Sequence, residues 1–181
     1  MLRLRWYHLA SLVFIVGLIA SPALADEIIL TLDAVGVGTC DTPWNENFCT
    51  LWFTETIEGD YGYPPSYCLP SPQPAGVFIM PARLVVDVSN IQGIDSIEVD
   101  YQEASDPGRT RVFLYEEGVA FVEEWSQGMG LATFVLDATG HVVDQLAISG
   151  WEAAVWEIRL IGETLVDNEQ TSFSTLKAVY R

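Results

Sequence analysis

The regular succession of short apolar segments and turn residues most limits how this chain can fold. Residues 94–102 alternate strictly, with apolar side chains at positions 97, 99 and 101 and polar ones at 98, 100 and 102. A period of two is typical of a strand with one buried face and one solvated face. The pattern therefore predicts a β-strand in this segment.

Similar segments recur along the chain about every 10–12 residues, separated by glycine-containing turns. Proline cannot donate in a sheet ladder, so Pro81 is expected to split residues 76–89 into two strands. The remaining predicted strands are 27–33, 50–58, 109–117, 119–126, 131–138, 141–149 and 151–161. This spacing predicts an all-β fold, an antiparallel jelly-roll-like β-sandwich of about eight to ten strands.

Residues 1–25 have the three parts of a secretory signal. Arg3 and Arg5 precede an apolar run at 9–20, and Ala23-Leu24-Ala25 offers a small-x-small cleavage site. The run is short for a membrane span. We expect cleavage after Ala25, a secreted, periplasmic or extracellular location, and no stable membrane insertion afterwards. The sandwich domain is then expected over 26–161, followed by a polar linker and short C-terminal tail over 162–181.

The chain is strongly acidic, with a formal net charge of −17 from 25 acidic and 8 basic residues. Removing Arg3 and Arg5 with the signal leaves six basic residues against 25 acidic ones, a net charge of −19. Such a surface repels phosphate backbones, so a nucleic-acid partner is not expected. It does leave many carboxylates available to divalent cations.

Three cysteines remain after cleavage, namely Cys40, Cys49 and Cys68. An oxidising compartment favours at least one disulfide, and an odd count leaves one thiol over. Cys40 and Cys49 lie in one irregular loop with ample freedom for correct geometry, so we predict a Cys40–Cys49 disulfide. The alternative pairing is Cys49–Cys68.

The sequence offers little for catalysis. His141 is the one histidine left after cleavage, and it lies at a turn with no G-x-S-x-G motif elsewhere. Glu123 and Glu124 are adjacent strand residues, which point to opposite faces and cannot share a site without a bulge. We therefore expect no enzymatic activity, and a hydrolase is the weakest of the functional hypotheses.

Aromatic residues cluster around two predicted loops. They are Trp44, Trp52, Tyr61, Tyr63 and Tyr67. Sugar rings stack on flat aromatic faces, while neighbouring polar groups take the hydroxyls, so these five residues are candidate ligand-binding residues. The alternative is that the rings cover the open end of the sandwich as a hydrophobic lid.

Three stretches resemble a known family of secreted bacterial domains. Residues 29–39 (ILTLDAVGVGT) resemble the opening strand and turn of secreted bacterial jelly-roll domains. Residues 83–102 and 144–160 resemble the middle and final strands of those domains. Such domains recur in PEP-CTERM-type exported proteins and are similar in layout to carbohydrate-binding modules. The resemblance implies a jelly-roll fold and export.

The resemblance also implies a structural Ca²⁺ between the first and last strands. The corresponding positions are Asp33, the Gly38-Thr39 backbone and Glu157. A carboxylate combined with turn carbonyls suits the six to eight oxygens that calcium takes. The alternative is that Asp33 caps a turn and Glu157 is a solvated residue on a strand.

These observations lead to two main functional hypotheses. The first is an exported non-catalytic binding or adhesion module, with glycans as the candidate ligand. The second is a structural or interaction domain of an envelope or extracellular assembly, which binds another protein and no small ligand. The position of the aromatic side chains distinguishes them, since an exposed planar row favours glycan binding and a buried cluster favours a structural role.

Overall fold

The structure is a computed structural model, and it describes residues 26–32, 42–54, 69–70, 76–79, 82–104, 107–163 and 165–167. Fourteen strands lie in these ranges. In chain order they are β1 (Asp26–Leu30), β2 (Trp44–Glu46), β3 (Cys49–Thr54), β4 (Leu69–Pro70), β5 (Val77–Ile79), β6 (Ala82–Asp87), β7 (Ile91–Gln92), β8 (Ser96–Glu103), β9 (Arg111–Glu116), β10 (Val119–Trp125), β11 (Gly130–Asp137), β12 (Gln145–Gly150), β13 (Ala153–Gly162) and β14 (Val166–Asp167). In the same ranges the chain forms no helix long and apolar enough to cross a bilayer.

Twelve strands form two antiparallel sheets. Sheet A has the order β11-β8-β13-β5-β4, and β1 pairs with the second half of β13 along the same edge as β5. Sheet B has the order β10-β9-β12-β6-β3-β2. The short strands β7 and β14 form a separate pair, and β14 falls within the predicted C-terminal linker. The predicted all-β sandwich is confirmed, with more short strands than the eight to ten expected.

The core lies between the two sheets. Each strand alternates, so one set of side chains points inward and packs against the facing sheet. In β8 the inward set is Ile97, Val99, Tyr101 and Glu103, which confirms the two faces predicted for residues 97–102. Inward residues of sheet B, such as Leu84, Leu114 and Ile148, belong to the same apolar cluster as those of sheet A.

The chain changes sheets between β5 and β6, and the break predicted at Pro81 falls in this interval, although Pro81 itself lies outside the described residues. Strand β5 ends at Ile79 in sheet A, and β6 begins at Ala82 in sheet B. Val85 and Leu84 of β6 are both buried, because β6 is covered on its core side and also carries apolar residues on its outer side. That second buried face is where the candidate site lies.

Candidate functional site

The aromatic residues nominated from the sequence do not form one row. Trp44 pairs with Leu51 and packs against the core, stacked on Phe53 at 5.8 Å between ring centroids. Trp52 is the next residue after Leu51 and therefore points away from the core, into a different cluster. Tyr61, Tyr63 and Tyr67 lie outside the described residues. Of the two tryptophans, Trp52 alone lies on the outer side of sheet B.

The outer side of sheet B carries an unusual set of residues, here called the aromatic–arginine face. It comprises Trp52 on β3, Arg83 and Val85 on β6, Ala147 and Ser149 on β12, Arg111, Phe113 and Tyr115 on β9, and Trp125 on β10. Apart from Trp125, whose neighbour Glu124 is exposed, each alternates with core-facing neighbours on its strand. Sequence analysis missed most of this set, although the Arg-x-Phe-x-Tyr alternation at 111–115 was a usable signal.

The strand register arranges most of this face in two rows, the second of which ends at Glu123 beside the face, and Tyr115 lies beyond them opposite Gln145. One row runs Arg83, Ser149, Arg111, Trp125 across β6, β12, β9 and β10. The other runs Trp52, Val85, Ala147, Phe113, Glu123 across β3, β6, β12, β9 and β10. The central strand β12 contributes the smallest side chains, so the middle of the face is lower than its sides.

The apolar members of the face are buried even though they point away from the core. Val85 is 2% exposed, Phe113 4% and Ala147 0%, and Trp52 and Tyr115 pack against them. An outward sheet face of an isolated sandwich is normally polar. Here it forms a second, smaller apolar cluster, which is covered by its neighbours, so the surface open to a ligand is that of the surrounding side chains, above all Trp125.

Two arginines lie over the aromatic rings. The guanidinium carbon of Arg83 is 5.7 Å from the Phe113 centroid and 5.3 Å from that of Tyr115, and Arg83 Nη2 donates a hydrogen bond to the Tyr115 hydroxyl. The guanidinium carbon of Arg111 is 5.0 Å from the Phe113 centroid and 4.0 Å from that of Trp125. These distances are within the range of cation–π attraction.

The two arginines differ in their anionic partners. Arg111 pairs with Glu123, the residue opposite Phe113 on β10. Arg83 pairs with no carboxylate of the described residues, and its buried Nε has no hydrogen-bond partner there. In a chain with so many carboxylates, it is unusual for an arginine to contact aromatic rings and to form no ion pair with a described carboxylate.

Trp52 and Trp125 stand at the two sides of the face. Their strands are separated by β6, β12 and β9, which places them roughly 19 Å apart across the sheet at the usual strand spacing. Trp125 is 43% exposed, while Trp52 is partly buried. The site therefore has an aromatic residue on each flank and the arginines between them.

A buried carboxylate holds one end of this face in place. Glu103 of β8 is 1% exposed, and its Oε2 accepts hydrogen bonds from Thr110 N at 2.9 Å, Thr110 Oγ1 at 2.8 Å and Ser126 Oγ at 2.8 Å. Thr110 directly precedes Arg111, and Ser126 directly follows Trp125. Glu103 thus reaches from sheet A to fix the strand ends that carry two residues of the face.

Of the residues implied for calcium, Glu157 lies on β13, where the register with β8 shifts between Val155 and Glu157. Its carboxylate accepts a hydrogen bond from Arg159 Nη1 at 3.0 Å. Asp33, Gly38 and Thr39 lie outside the described residues. Among the described residues no group of three or more metal-ligating side chains occurs, and the calcium site stays a prediction.

Arg159 is surrounded by carboxylates on the outer side of sheet A. It lies 2.8 Å from Glu98, 3.3 Å from Asp100 and 3.0 Å from Glu157. Burial lowers the pKa of the Arg159 guanidinium, but Asp100, Glu98 and Glu157 together raise that pKa above its ordinary value. This arginine is a charge-compensated structural residue, in contrast to Arg83.

Cys49 is a free thiol in the structure, so the predicted Cys40–Cys49 disulfide is not shown. It is the first residue of β3, it is 1% exposed and it faces the core beside Leu51. Inward cysteines on strands pack as small apolar residues. The predicted partner Cys40 and the alternative partner Cys68 lie outside the described residues.

His141 contacts a carboxylate and an aromatic ring. Its Nδ1 lies 2.9 Å from Glu116 Oε2, and its ring stacks on Phe121 at 4.1 Å between centroids. The hydrogen bond from His141, followed by the bond from Val142 N, lowers the pKa of the Glu116 carboxyl. These contacts tie the loop before β12 to the hairpin of β9 and β10.

No protein-family model matches the chain, and no curated protein matches it. Among solved structures, it is similar to the C-terminal CBM6 of LamC, a marine laminarinase from Zobellia galactanivorans, at 16% identity and a TM-score of 0.35, covering 62% of this chain and 98% of that one. A CBM4 structure matches at 15% identity and a TM-score of 0.34, covering 72% and 97%.

A third solved structure, CBM32-2 of a GH31 protein bound to GalNAc, matches at 11% identity and a TM-score of 0.34, covering 78% of this chain and 99% of that one. At these identities and scores, the likeness says nothing about a ligand of this chain.

Proposed function

We propose that this chain is an exported, non-catalytic glycan-binding module that holds an oligosaccharide chain on the aromatic–arginine face of sheet B. The observation that carries the proposal is the ring of Trp125, which is 43% exposed on the outer side of sheet B beside Arg111. The buried cluster of Val85, Phe113 and Ala147 supports this face from beneath, and Trp52 lies at its opposite side.

The chemistry of this face suits a sugar. The ring faces of sugars are apolar and pack on aromatic side chains, while their hydroxyl groups need directional polar partners. Trp52 and Trp125 supply the aromatic surface. Arg83, Arg111 and the Tyr115 hydroxyl supply polar groups whose positions are fixed by the ring contacts. Fixed side chains lose little conformational entropy on binding, which favours affinity.

The spacing of the two tryptophans favours a chain of sugars over a single sugar. Roughly 19 Å separates their strands, and the small residues of β12 lie between them. A ligand that reaches both sides must lie across several strands. We therefore propose that the binding unit is an oligosaccharide segment of a polysaccharide.

The experiment is affinity electrophoresis of the mature protein against a panel of soluble polysaccharides, followed by calorimetry with the best ligand. We expect Trp125→Ala to weaken binding at least about tenfold, as is common for aromatic anchors at binding surfaces. Trp52→Ala should act in the same direction.

Phe48→Ala is the matched control, because Phe48 is an aromatic residue with 51% exposure at the turn between β2 and β3, outside this face. Its binding should equal that of the unmodified protein. A folded protein that binds no polysaccharide, or tryptophan variants that bind as well as the control, would overturn the proposal and favour a domain that contacts only proteins.

A further inference from the structure

We infer that the glycan bound on the aromatic–arginine face is acidic, and that Arg83 and Arg111 receive one of its anionic groups, a carboxylate or a sulfate ester, beside Phe113. The inference rests on the proposed function and names the substrate class of the same site. It is carried by the placement of the arginines and by the contrast between Arg83 and Arg159.

The arginines of this chain differ in whether they have an anionic partner. Four arginines lie in the described residues, at 83, 109, 111 and 159. Arg159 is surrounded by acidic side chains, which is expected where carboxylates are so numerous. Arg83 has no such partner among the described residues, although it is partly buried. A partly buried guanidinium without an anionic partner keeps a desolvation cost that a bound anion would offset.

Arg83 and Arg111 lie close together on the outer side of sheet B. Ser149 pairs with Arg83 on one side and with Arg111 on the other, so the two arginines flank one small, buried side chain. Their backbones are two strand spacings apart, which is about 10 Å. Both guanidinium carbons lie over the Phe113 ring, that of Arg83 at 5.7 Å and that of Arg111 at 5.0 Å from its centroid, so the two side chains meet at one place on the face. Arg111 has Glu123 as its anionic partner, so an oxyanion at this place would chiefly complete Arg83.

The orientation of the Arg83 guanidinium also suits an anion. A guanidinium that lies flat over a ring presents its N–H groups around the edge of its plane. Arg83 uses Nη2 for the Tyr115 hydroxyl, and its Nε is buried without a hydrogen-bond partner among the described residues, as are the Nε atoms of Arg111 and Arg159. An oxyanion bonds to paired N–H groups of a guanidinium in a bidentate arrangement. A neutral sugar hydroxyl is a weaker match for the same donors.

The test compares polymers that differ only in charge, with the mature protein as the binding partner. Polygalacturonate is compared with the same polymer after chemical reduction of its carboxyl groups, and dextran sulfate with dextran. At about 0.15 M salt, which screens the long-range repulsion between this acidic chain and a polyanion, we expect one acidic polymer of the two pairs to bind at least about tenfold more tightly than its neutral counterpart. The pair that shows this preference identifies the anion as a carboxylate or a sulfate ester.

Arg83→Gln should reduce the preference for the acidic polymer at least about tenfold, because the amide keeps a hydrogen-bond donor but loses the charge and the fork. Arg83→Lys, which keeps the charge and loses the fork, should give an intermediate preference. Arg159→Gln is the matched control, since it removes the same charge from sheet A. Circular dichroism melts of each variant identify any that does not fold.

The outcomes separate the two proposals. Equal binding of acidic and neutral polymers, with dependence on Trp125, overturns this inference and leaves the proposed function standing. A preference that Arg159→Gln reduces as much as Arg83→Gln also overturns it, because the effect would then come from net charge. Binding to no polymer of either kind overturns both. If Arg83→Gln does not fold, the comparison of each acidic polymer with its neutral counterpart still decides.

Discussion

At the residue scale, Cys49 shows how one position can satisfy a sequence pattern and yet have a different role. It borders an irregular loop, which suggested a disulfide, but it is also the first inward residue of β3. Burial raises the pKa of the Cys49 thiol to about 12, and the nearby carboxylates of Asp87 and Glu46 add to the effect. A thiol with so high a pKa is a poor nucleophile.

We expect Cys49 to resist iodoacetamide at pH 8 in the folded protein and to react once the protein is unfolded. Because its folded pKa is raised above its ordinary value of 9.0, its contribution to stability is complete below pH 9 and is lost as the pH rises toward 12. The measurement is peptide mapping by mass spectrometry after alkylation, under non-reducing conditions. Fast alkylation of the native protein, or a peptide that joins Cys49 to Cys40 or Cys68, would contradict the free buried thiol.

At the element scale, the hairpin of β9 and β10 is a short turn that builds one side of the candidate site. Glu116 pairs with Val119, so Glu117 and Gly118 form a two-residue loop. Both have positive φ, 51° and 76°, which is the signature of a type I′ turn. The turn fixes the pairing register of β9 with β10, and so the positions of Arg111, Phe113 and Tyr115 relative to β10.

We expect Gly118→Ala to lower the free energy of unfolding by about 1–2 kcal/mol, because an L-residue is strained in the left-handed region. A Cβ at Gly118 meets no atom within 4 Å, so the cost comes from the backbone alone. Glu117→Asn should stabilise by a few tenths of a kcal/mol or more, since Asn-Gly is the preferred pair for this turn. Thermal melts measure both changes.

Gly128→Ala is the control for the hairpin. It also has no atom within 4 Å of an added Cβ, and its φ is not in the left-handed region. Its melting temperature should match that of the unmodified protein or rise slightly. A loss of stability at Gly128 equal to that at Gly118 would show that the conformational argument is mistaken.

At the scale of the whole molecule, the dominant quantity is the net charge of −19 expected after cleavage. On sheet A, Arg159 reduces the repulsion among neighbouring carboxylates by forming ion pairs with several of them. Calcium is the second way in which so acidic a domain can be stabilised, and the implied site joins Asp33, the Gly38-Thr39 backbone and Glu157. An ion that binds only the folded state stabilises it by mass action.

We expect Ca²⁺ at 100 times its Kd to add about 2.7 kcal/mol to the free energy of unfolding, which is roughly 5–10 °C in melting temperature for a domain of this size. Asp33→Ala should abolish that increase, and a chelator should reverse it. Magnesium at the same concentration is the control for charge screening, because its octahedral demand makes it a poor substitute in a carbonyl-rich site. Equal stabilisation by both ions would leave only screening of an acidic surface.

The elements of this fold follow from local sequence, since alternation and chain breaks act over a few residues. The two faces of β8, the interruption between β5 and β6, and the strands 109–117 and 119–126 are all present near their predicted positions. The residues of the candidate site could be predicted from the sequence only in part. Trp52 was named, but Trp44, eight residues earlier, packs into the core, because the β2–β3 register pairs it with the inward Leu51.

The sequence by itself determined the longer strands, the turns between them and the acidity of the chain, and the export signal at 1–25 stays a prediction. The tertiary structure alone decided that Arg83 and Arg111 meet. They are distant in the chain, and they flank Ser149 because β12, which follows both in sequence, inserts between β6 and β9. Strand order and register depend on long-range packing between the sheets, so no local pattern reports which outward-facing side chains become neighbours.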